Sequence, residues 1–241
     1  MLLVMSGEGG SDIGGSNNGS ASCDGDRFNA GPMALLIDRE IHRLMDFSPI
    51  ACSCIHWISR AALAAKAKLG RWSPSVGLPS ARRGKEMLAQ YRLAQALGRY
   101  ASQIEMDLND TTVAVLFHDS DGTNSDVAAR WNHIVNAIAL GFRDCGYERG
   151  VPMVPKPKQE AWFLCALKEA PYIDCAALED ESGNDSSPAS LKRQLDLALG
   201  YSPTSADLVG MIEDGRVEFE RVGMPSLDAF RAALLAATAK I

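Results

Sequence analysis

Two aspartates stand one residue apart at the end of the most apolar stretch of the chain. Asp119 and Asp121 follow the run TVAVLF at 112–117. Carboxylates this close raise each other's pKa unless a cation neutralises them, and oxygen ligands of this kind suit Mg²⁺ or Mn²⁺. Taken alone, the pattern is also typical of a solvated turn in which Asp hydrogen-bonds the local backbone.

A glutamate flanked by glycines ends another short apolar run. Glu8 follows the segment LLVM at 2–5 and precedes Gly9 and Gly10. Glycines permit a close backbone approach, so these two are candidates for contact with a phosphate group. If Glu8 lies beside Asp119 and Asp121, the three carboxylates would hold one or two divalent cations, which orient a phosphodiester and activate water.

The elements that must position these carboxylates alternate between strands and helices. Apolar runs predict four strands, at 2–5, 50–58, 112–117 and 151–154. Helical spacing follows them at 33–45, 59–69, 84–106, 125–144 and 158–169. This order predicts an α/β fold with a central, mostly parallel four-stranded sheet flanked by helices. In such sheets the functional residues lie beyond the carboxyl ends of the strands, as Glu8 and Asp119 do.

Two segments interrupt this alternation. Residues 6–31 hold 8 of the 21 glycines and predict a long loop, which could serve as a flap over a substrate. Residues 171–241 predict a C-terminal helical extension, with helical pieces near 188–199, 204–213 and 226–239. Within it, the acidic run at 179–187 predicts a flexible loop.

Two motifs resemble those of a known family. The run LVMSGEG at 3–9, with Ser11 and Asp12 after it, resembles the first motif of TOPRIM domains. Those domains carry a glutamate at the end of strand one and an Asp-x-Asp after strand three, and the element order of residues 1–155 is similar to theirs. The stretch PKPKQEAW at 155–162 is similar to a later motif of small stand-alone bacterial TOPRIM-like proteins, and OLD-family nucleases place an acidic residue near this point.

The resemblance covers residues 1–170 and implies a TOPRIM-like domain that hydrolyses phosphodiesters with Mg²⁺ or Mn²⁺, as a nuclease. It implies that Glu8 is a general acid/base or a metal ligand, that Asp119 and Asp121 are metal ligands, and that Glu160 is a further ligand. Glu160 is equally interpreted as a first-turn glutamate favoured by the helix dipole. Trp162 is expected in the core. The resemblance also implies an AAA-type ATPase partner in bacterial anti-phage defence.

Two other functions stay open. The sequence DSDGT at 119–123 matches the first motif of haloacid-dehalogenase-type phosphatases, in which the first Asp is a nucleophile and the second a general acid. That family usually has an apolar residue where this chain has Asn124, and it usually places the motif near the start of the chain. The remaining hypothesis is a non-catalytic interaction subunit with a degenerate acidic site, in which the helices after 188 dock a partner. His118 would contact a phosphate or pack at the strand end.

The net charge of −6 conceals a basic segment at 60–99. This segment contains nine Lys and Arg residues and one acid, a net charge of +8. Lys85, Arg92 and Arg99 are seven residues apart, so a helix would place them in one stripe able to follow a phosphate backbone. Arg82 and Arg83 complete the predicted phosphate-binding set. A solvated helix face is the other interpretation. The expected partner is therefore nucleic acid, bound without sequence specificity.

Cysteine usage and hydropathy predict the compartment. The sequence contains no run of about 18 apolar residues, so no membrane span is expected. The six cysteines follow no zinc-site spacing, and Cys52, Cys54 and Cys165 lie in apolar runs. These features predict reduced thiols and a cytoplasmic protein. The choice between DNA, RNA and nucleotide stays open, as does assembly into a homo-oligomer.

Overall fold

The computed structural model describes residues 1–69, 84–120 and 127–241. The strands of this part of the chain are β1 (Leu2–Gly7), β2 (Gly14–Ser16), β3 (Ser22–Asp24), β4 (Phe28–Ala30), β5 (Ile55–Ile58), β6 (Thr112–Phe117) and β7 (Gly150–Met153). Five of them form one sheet in the order β3-β5-β1-β6-β7. In it β5, β1, β6 and β7 run parallel and β3 runs antiparallel to β5. The remaining two, β2 and β4, form a separate antiparallel pair.

Helices lie on both faces of this sheet. They are α1 (Pro32–Met45), α2 (Arg60–Leu69), α3 (Gly84–Leu108), α4 (Val127–Asp144), α5 (Gln159–Leu167), α6 (Leu191–Leu199), α7 (Ser205–Glu213) and α8 (Pro225–Thr238). Every helical segment predicted from the sequence corresponds to one of them. None of the helices in the described ranges combines the length and the apolar character needed to cross a bilayer.

The predicted α/β class with a mostly parallel sheet is confirmed, but the prediction of four strands is wrong. The fifth strand, β3, comes from the glycine-rich segment that was predicted to be a loop throughout. At three residues it is too short to show an alternating pattern, and its partner β5 lies more than 30 residues further along the chain. Gly14 has φ +102° and an added Cβ would lie 2.2 Å from the carbonyl oxygen of Asn29, so the β2–β4 pair requires glycine here.

The second predicted strand is shorter than expected, because the segment before it forms a turn around a carboxylate. Asp38 Oδ1 accepts the backbone N–H of Ile50 at 2.8 Å and the hydroxyl of Ser48 at 3.0 Å. The strand therefore begins at Ile55 rather than at Ile50. Cys52 consequently lies exposed in the turn, which corrects its predicted burial.

Each strand contributes side chains to two cores, one on either face of the sheet. Leu3 and Met5 of β1 pack with α1 and α5–α8, whereas Val4 packs with α2, α3 and α4. The helices after residue 188 add to the first core through large side chains such as Phe230. Trp162 is confirmed as a core residue: it is fully buried in the same cluster.

The acidic run at 179–187 is bound to the rest of the protein. Glu179 is 3% exposed, and its Oε1 accepts the backbone N–H of Ser226 at 2.7 Å. Lys158 Nζ donates to Asp185 at 2.8 Å. The run therefore has specific contacts at both of its ends.

One pair of cysteines is oxidised. A disulfide joins Cys165 of α5 to Cys175, and their Cα atoms are 5.2 Å apart. The prediction of a buried free thiol at Cys165 is therefore wrong, because its partner lies across a turn that the spacing of the cysteines did not indicate. The free thiols are those of Cys23, Cys52, Cys54 and Cys145.

Candidate functional site

The carboxyl ends of β1 and β6 bring the predicted carboxylates to one edge of the sheet. The parallel register places Gly7 beside Phe117, so Glu8 and His118 are the first residues beyond these neighbouring strands. The backbone N–H of Asp119 donates to Glu8 Oε1 at 2.8 Å. Glu8 and Asp119 therefore meet, as the order of elements predicted.

Glu8 forms an ion pair with a buried histidine. Its Oε1 contacts Nδ1 of His118, whose side chain is 7% exposed, and its Oε2 lies 3.6 Å from the guanidinium of Arg60. Burial opposes the charged form of Glu8, but the hydrogen bond and charge of His118, with the charge of Arg60, hold its pKa below the usual value. Glu8 is thus a fixed anion at the sheet edge.

The other side of the imidazole faces a second carboxylate. Glu86 Oε1 lies 3.7 Å from His118 Nε2 and accepts from Arg130 at 2.6 Å. Burial would lower the pKa of His118, yet its hydrogen bonds to Glu8 and Glu86 raise it above the usual value. The imidazole therefore lies between two carboxylates, and both favour its charged form.

Gln90 completes the surroundings of this imidazole. Its Nε2 is 2.9 Å from Nε2 of His118, while its Oε1 accepts no hydrogen bond from the described residues. A half-turn of the amide would offer that oxygen to the imidazolium N–H. The side chain is therefore able to support the charged form of His118.

The Asp119 carboxylate is oriented by the start of α5. Its Oδ1 accepts the backbone N–H of Gln159 at 3.2 Å. The next residue, Ser120, anchors the loop, since its hydroxyl donates to the carbonyl of Pro155 at 2.8 Å. These bonds hold the end of β6 against the turn that connects β7 to α5.

Two more carboxylates flank Gln159. Its Nε2 donates to Asp12, and the next residue is Glu160, in the first turn of α5. Burial raises the pKa of Asp12, with a contribution from the charge of Glu8, and burial likewise raises the pKa of Glu160, with a contribution from Asp12. The buried atoms Gln159 Oε1 and Glu160 Oε2 accept no hydrogen bond from the described residues. Glu160 therefore interacts electrostatically with Asp12, which in turn interacts with Glu8.

The remaining predicted residues are distributed as follows. Asp121, Arg82 and Arg83 lie outside the described residues. Gly9, with φ +71°, lies against Asp12, and Gly10 is exposed beside it. Lys85, Arg92 and Arg99 are exposed along α3. Within residues 1–69, 84–120 and 127–241, no three His, Cys, Asp or Glu side chains are grouped closely enough to hold a metal ion.

Sequence reasoning did not select Asp12, Arg60, Glu86 or Gln90. Two weak signals pointed to them: Asp12 belongs to the first motif, and Glu86 is the single acid of the basic segment. Arg60 is the first cation of that segment, and Gln90 carries no signal. The packing of α2 and α3 beside the end of β6 brings both to His118.

Comparisons with protein-family models, with curated proteins and with solved structures gave no match to this chain.

Proposed function

We propose that the protein is a TOPRIM-like hydrolase of phosphodiester bonds, a nuclease that uses Mg²⁺ or Mn²⁺, with its TOPRIM-like domain in residues 1–170. The observation that carries this proposal is the contact between Glu8 and Asp119 at the ends of two adjacent parallel strands. Carboxylates at this position of an open α/β sheet face the crevice in which such folds bind ligands.

Carboxylate oxygens are the donor type that a hard divalent cation prefers, but the described carboxylates alone are not grouped closely enough to hold one. The backbone N–H of Asp119 bonds Glu8, and the charge of Asp12 interacts with both Glu8 and Glu160. The buried atoms Gln159 Oε1 and Glu160 Oε2 have no hydrogen-bond donor among the described residues. A cation site would therefore need Asp121 of the sequence motif in addition to Glu8, Asp119 and Glu160. A bound cation would neutralise the phosphate and lower the pKa of a water molecule.

The residues of the chain itself orient and balance this site. The contact with His118 holds the Glu8 carboxylate and lowers its pKa, and the backbone N–H of Gln159 at the start of α5 holds the Asp119 carboxylate. The side chain of Arg60 is 30% exposed, so it can contact a bound phosphate while it stays near Glu8. The site thus combines fixed anions with a cation that faces the substrate.

Metal-dependent nicking of a supercoiled plasmid tests the proposal. We expect activity with Mg²⁺ or Mn²⁺, none in EDTA, and a loss of about 100-fold or more in Glu8→Gln and in Asp119→Asn. Glu148→Gln is the matched control, because this carboxylate is 75% exposed and takes no part in the site. Nicking that is unchanged in both site variants would refute the proposal.

The same assay addresses the phosphatase alternative. That mechanism needs a lysine near Asp119, for which the sequence offers Lys156 or Lys168. Lys156 lies 3.3 Å from Asp180, and Lys168 donates to the carbonyl of Ile173. Hydrolysis of p-nitrophenyl phosphate without nicking would favour it. Absence of both activities would favour an interaction subunit. The AAA-type ATPase partner and the role in bacterial defence rest on the sequence resemblance alone.

A further inference from the structure

The helices that cover one face of the sheet, α2, α3 and α4, are rich in cations. Their residues include eight Lys or Arg and four carboxylates. Three of the carboxylates are paired with arginine: Glu86 with Arg130, Glu105 with Arg149, and Asp144 with Arg143. The fourth, Asp107, lies near the C-terminal end of α3. The outer surface of this face is therefore dominated by positive charge.

A straight row of cations runs along α3. Lys85, Arg92 and Arg99 are all exposed, and at 1.5 Å per residue they span about 21 Å. Lys85 and Arg92 form no ion pair with any carboxylate of the described residues. Lys66 of α2 lies alongside, with its Nζ 5.3 Å from the ring centre of Tyr100. The row thus has a second helix of the same charge beside it.

This row begins at the candidate site. Lys85 is followed by Glu86, whose side chain turns inward to His118 and Arg130. The N-terminal end of α3 therefore adjoins the edge where Glu8 and Asp119 meet, and Arg92 and Arg99 lie progressively further from it. A strand that follows the row would enter or leave the site at Lys85.

We propose that this basic face, defined by Lys66, Lys85, Arg92 and Arg99, binds the sugar–phosphate backbone of a nucleic-acid strand that extends from the Glu8–Asp119 edge along α3. The inference rests on the proposed function, because it identifies the substrate as a polynucleotide rather than a free nucleotide. With one phosphate per about 3.4 Å of a strand in a duplex, 21 Å corresponds to about six phosphates.

The composition of the face favours this partner over a protein or a membrane. From Lys85 to Arg99 the other exposed position is Ala89. The exposed large hydrophobic side chains of α2 and α3, Leu69, Met106 and Leu108, lie at the C-terminal ends of these helices, outside that stretch. Protein hot spots and membrane-surface helices both use such side chains, whereas a phosphate backbone needs regularly spaced cations.

Salt-dependent binding tests the proposal separately from catalysis. Fluorescein-labelled DNA of about 30 nucleotides, single-stranded or duplex, and RNA of the same sequence are titrated by anisotropy in EDTA, from about 50 to about 200 mM KCl. For the nucleic acid that binds, the slope of log K against log [KCl] is negative. Arg92→Gln/Arg99→Gln should make it shallower by about 1.4 to 1.8. Affinity at the lowest salt should fall by about tenfold or more.

The matched control is Lys192→Gln/Arg193→Gln, which removes two exposed cations from α6 on the opposite face. It should keep the wild-type slope. If Arg92→Gln/Arg99→Gln lowers the melting temperature, a second variant, Lys85→Gln/Arg92→Gln, repeats the test with Arg99 intact. Equal slopes for wild type and both α3 variants would overturn the proposal, as would absence of binding to all three probes. If the slope falls in the α3 variants but the plasmid is not nicked, the basic face is supported and the nuclease proposal is refuted. If the plasmid is nicked but the slope does not fall, the nuclease proposal is supported and the basic face is refuted.

Discussion

The backbone amide of Asp119 donates to Glu8 Oε1 at 2.8 Å, which joins two residues 111 positions apart in the sequence. The bond lies just beyond the last paired residues of these two strands, Gly7 of β1 and Phe117 of β6. The position of the Glu8 carboxylate is therefore set by the sheet.

His118 is predicted to be essential for the stability of this edge. Removing it leaves the carboxylates of Glu8 and Glu86 without their shared cation, and loss of one partner from a buried ion pair is strongly destabilising. Because these carboxylates are partly exposed, at 31% and 38%, we expect His118→Gln to lower the free energy of unfolding by about 1–3 kcal/mol. Urea denaturation in EDTA measures this.

A double-mutant cycle then isolates the His118–Glu8 pair. The coupling free energy between Glu8→Gln and His118→Gln should be about 1 kcal/mol or more, because each single substitution leaves the other residue's charge without its partner. Additive effects of the two substitutions would show that the pair contributes nothing to stability.

The contact between Glu8 and Asp119 was predictable because parallel strands place their carboxyl ends at one edge. The antiparallel strand β3 was not, because three residues carry no periodic signal and its pairing depends on the distant strand β5. Arg60 and Gln90 were equally hidden, since their approach to His118 depends on how α2 and α3 pack. Features that depend on local sequence pattern were therefore predictable, whereas features that depend on long-range packing were not.

Glu179 should stabilise the protein although it lies in an acidic, polar run. Its buried carboxylate accepts the N–H of Ser226 in the first turn of α8, where the helix dipole also favours negative charge. We expect Glu179→Ala to cost about 2–3 kcal/mol of unfolding free energy. Asp180→Ala is the control: its side chain is 82% exposed, so the change should stay within about 0.5 kcal/mol. If chemical denaturation shows the same small loss of unfolding free energy for Glu179→Ala and Asp180→Ala, the stabilising role of Glu179 is contradicted.

Two helical glycines should respond oppositely to alanine. A Cβ at Gly141 of α4 would lie 2.3 Å from the carbonyl oxygen of Tyr91, so Gly141→Ala must separate α3 from α4 and should cost about 1–3 kcal/mol. A Cβ at Gly210 of α7 meets nothing within 4 Å, and Gly210→Ala should gain about 0.5–1 kcal/mol from helix propensity. Melting temperatures that shift in the same direction would disprove the close packing inferred at Gly141.

Tyr147 should make stability fall at alkaline pH. Burial raises its pKa to about 12, and its hydroxyl donates to the carbonyl of Thr112 at 2.7 Å. The folded protein thus disfavours the phenolate. The stabilisation that this protonated tyrosine provides is therefore complete below the ordinary pKa of about 10 and is lost as the pH rises through 12. Relative to Tyr147→Phe, the wild type should lose about 1 kcal/mol between about pH 9 and about pH 11. If the unfolding free energies of the wild type and of Tyr147→Phe, measured by urea denaturation, change equally with pH, this prediction is contradicted.

The short strand β3 has a consequence for how the sheet meets other chains. It covers the free edge of β5 with three residues, so little backbone is left there for pairing. At the opposite edge, β7 includes Pro152, which has no N–H to offer, and α8 packs against that strand. Both margins thus resist the addition of a foreign strand, a common first step in edge-to-edge aggregation. Association with other macromolecules is left to the helical surfaces and the loops around Glu8.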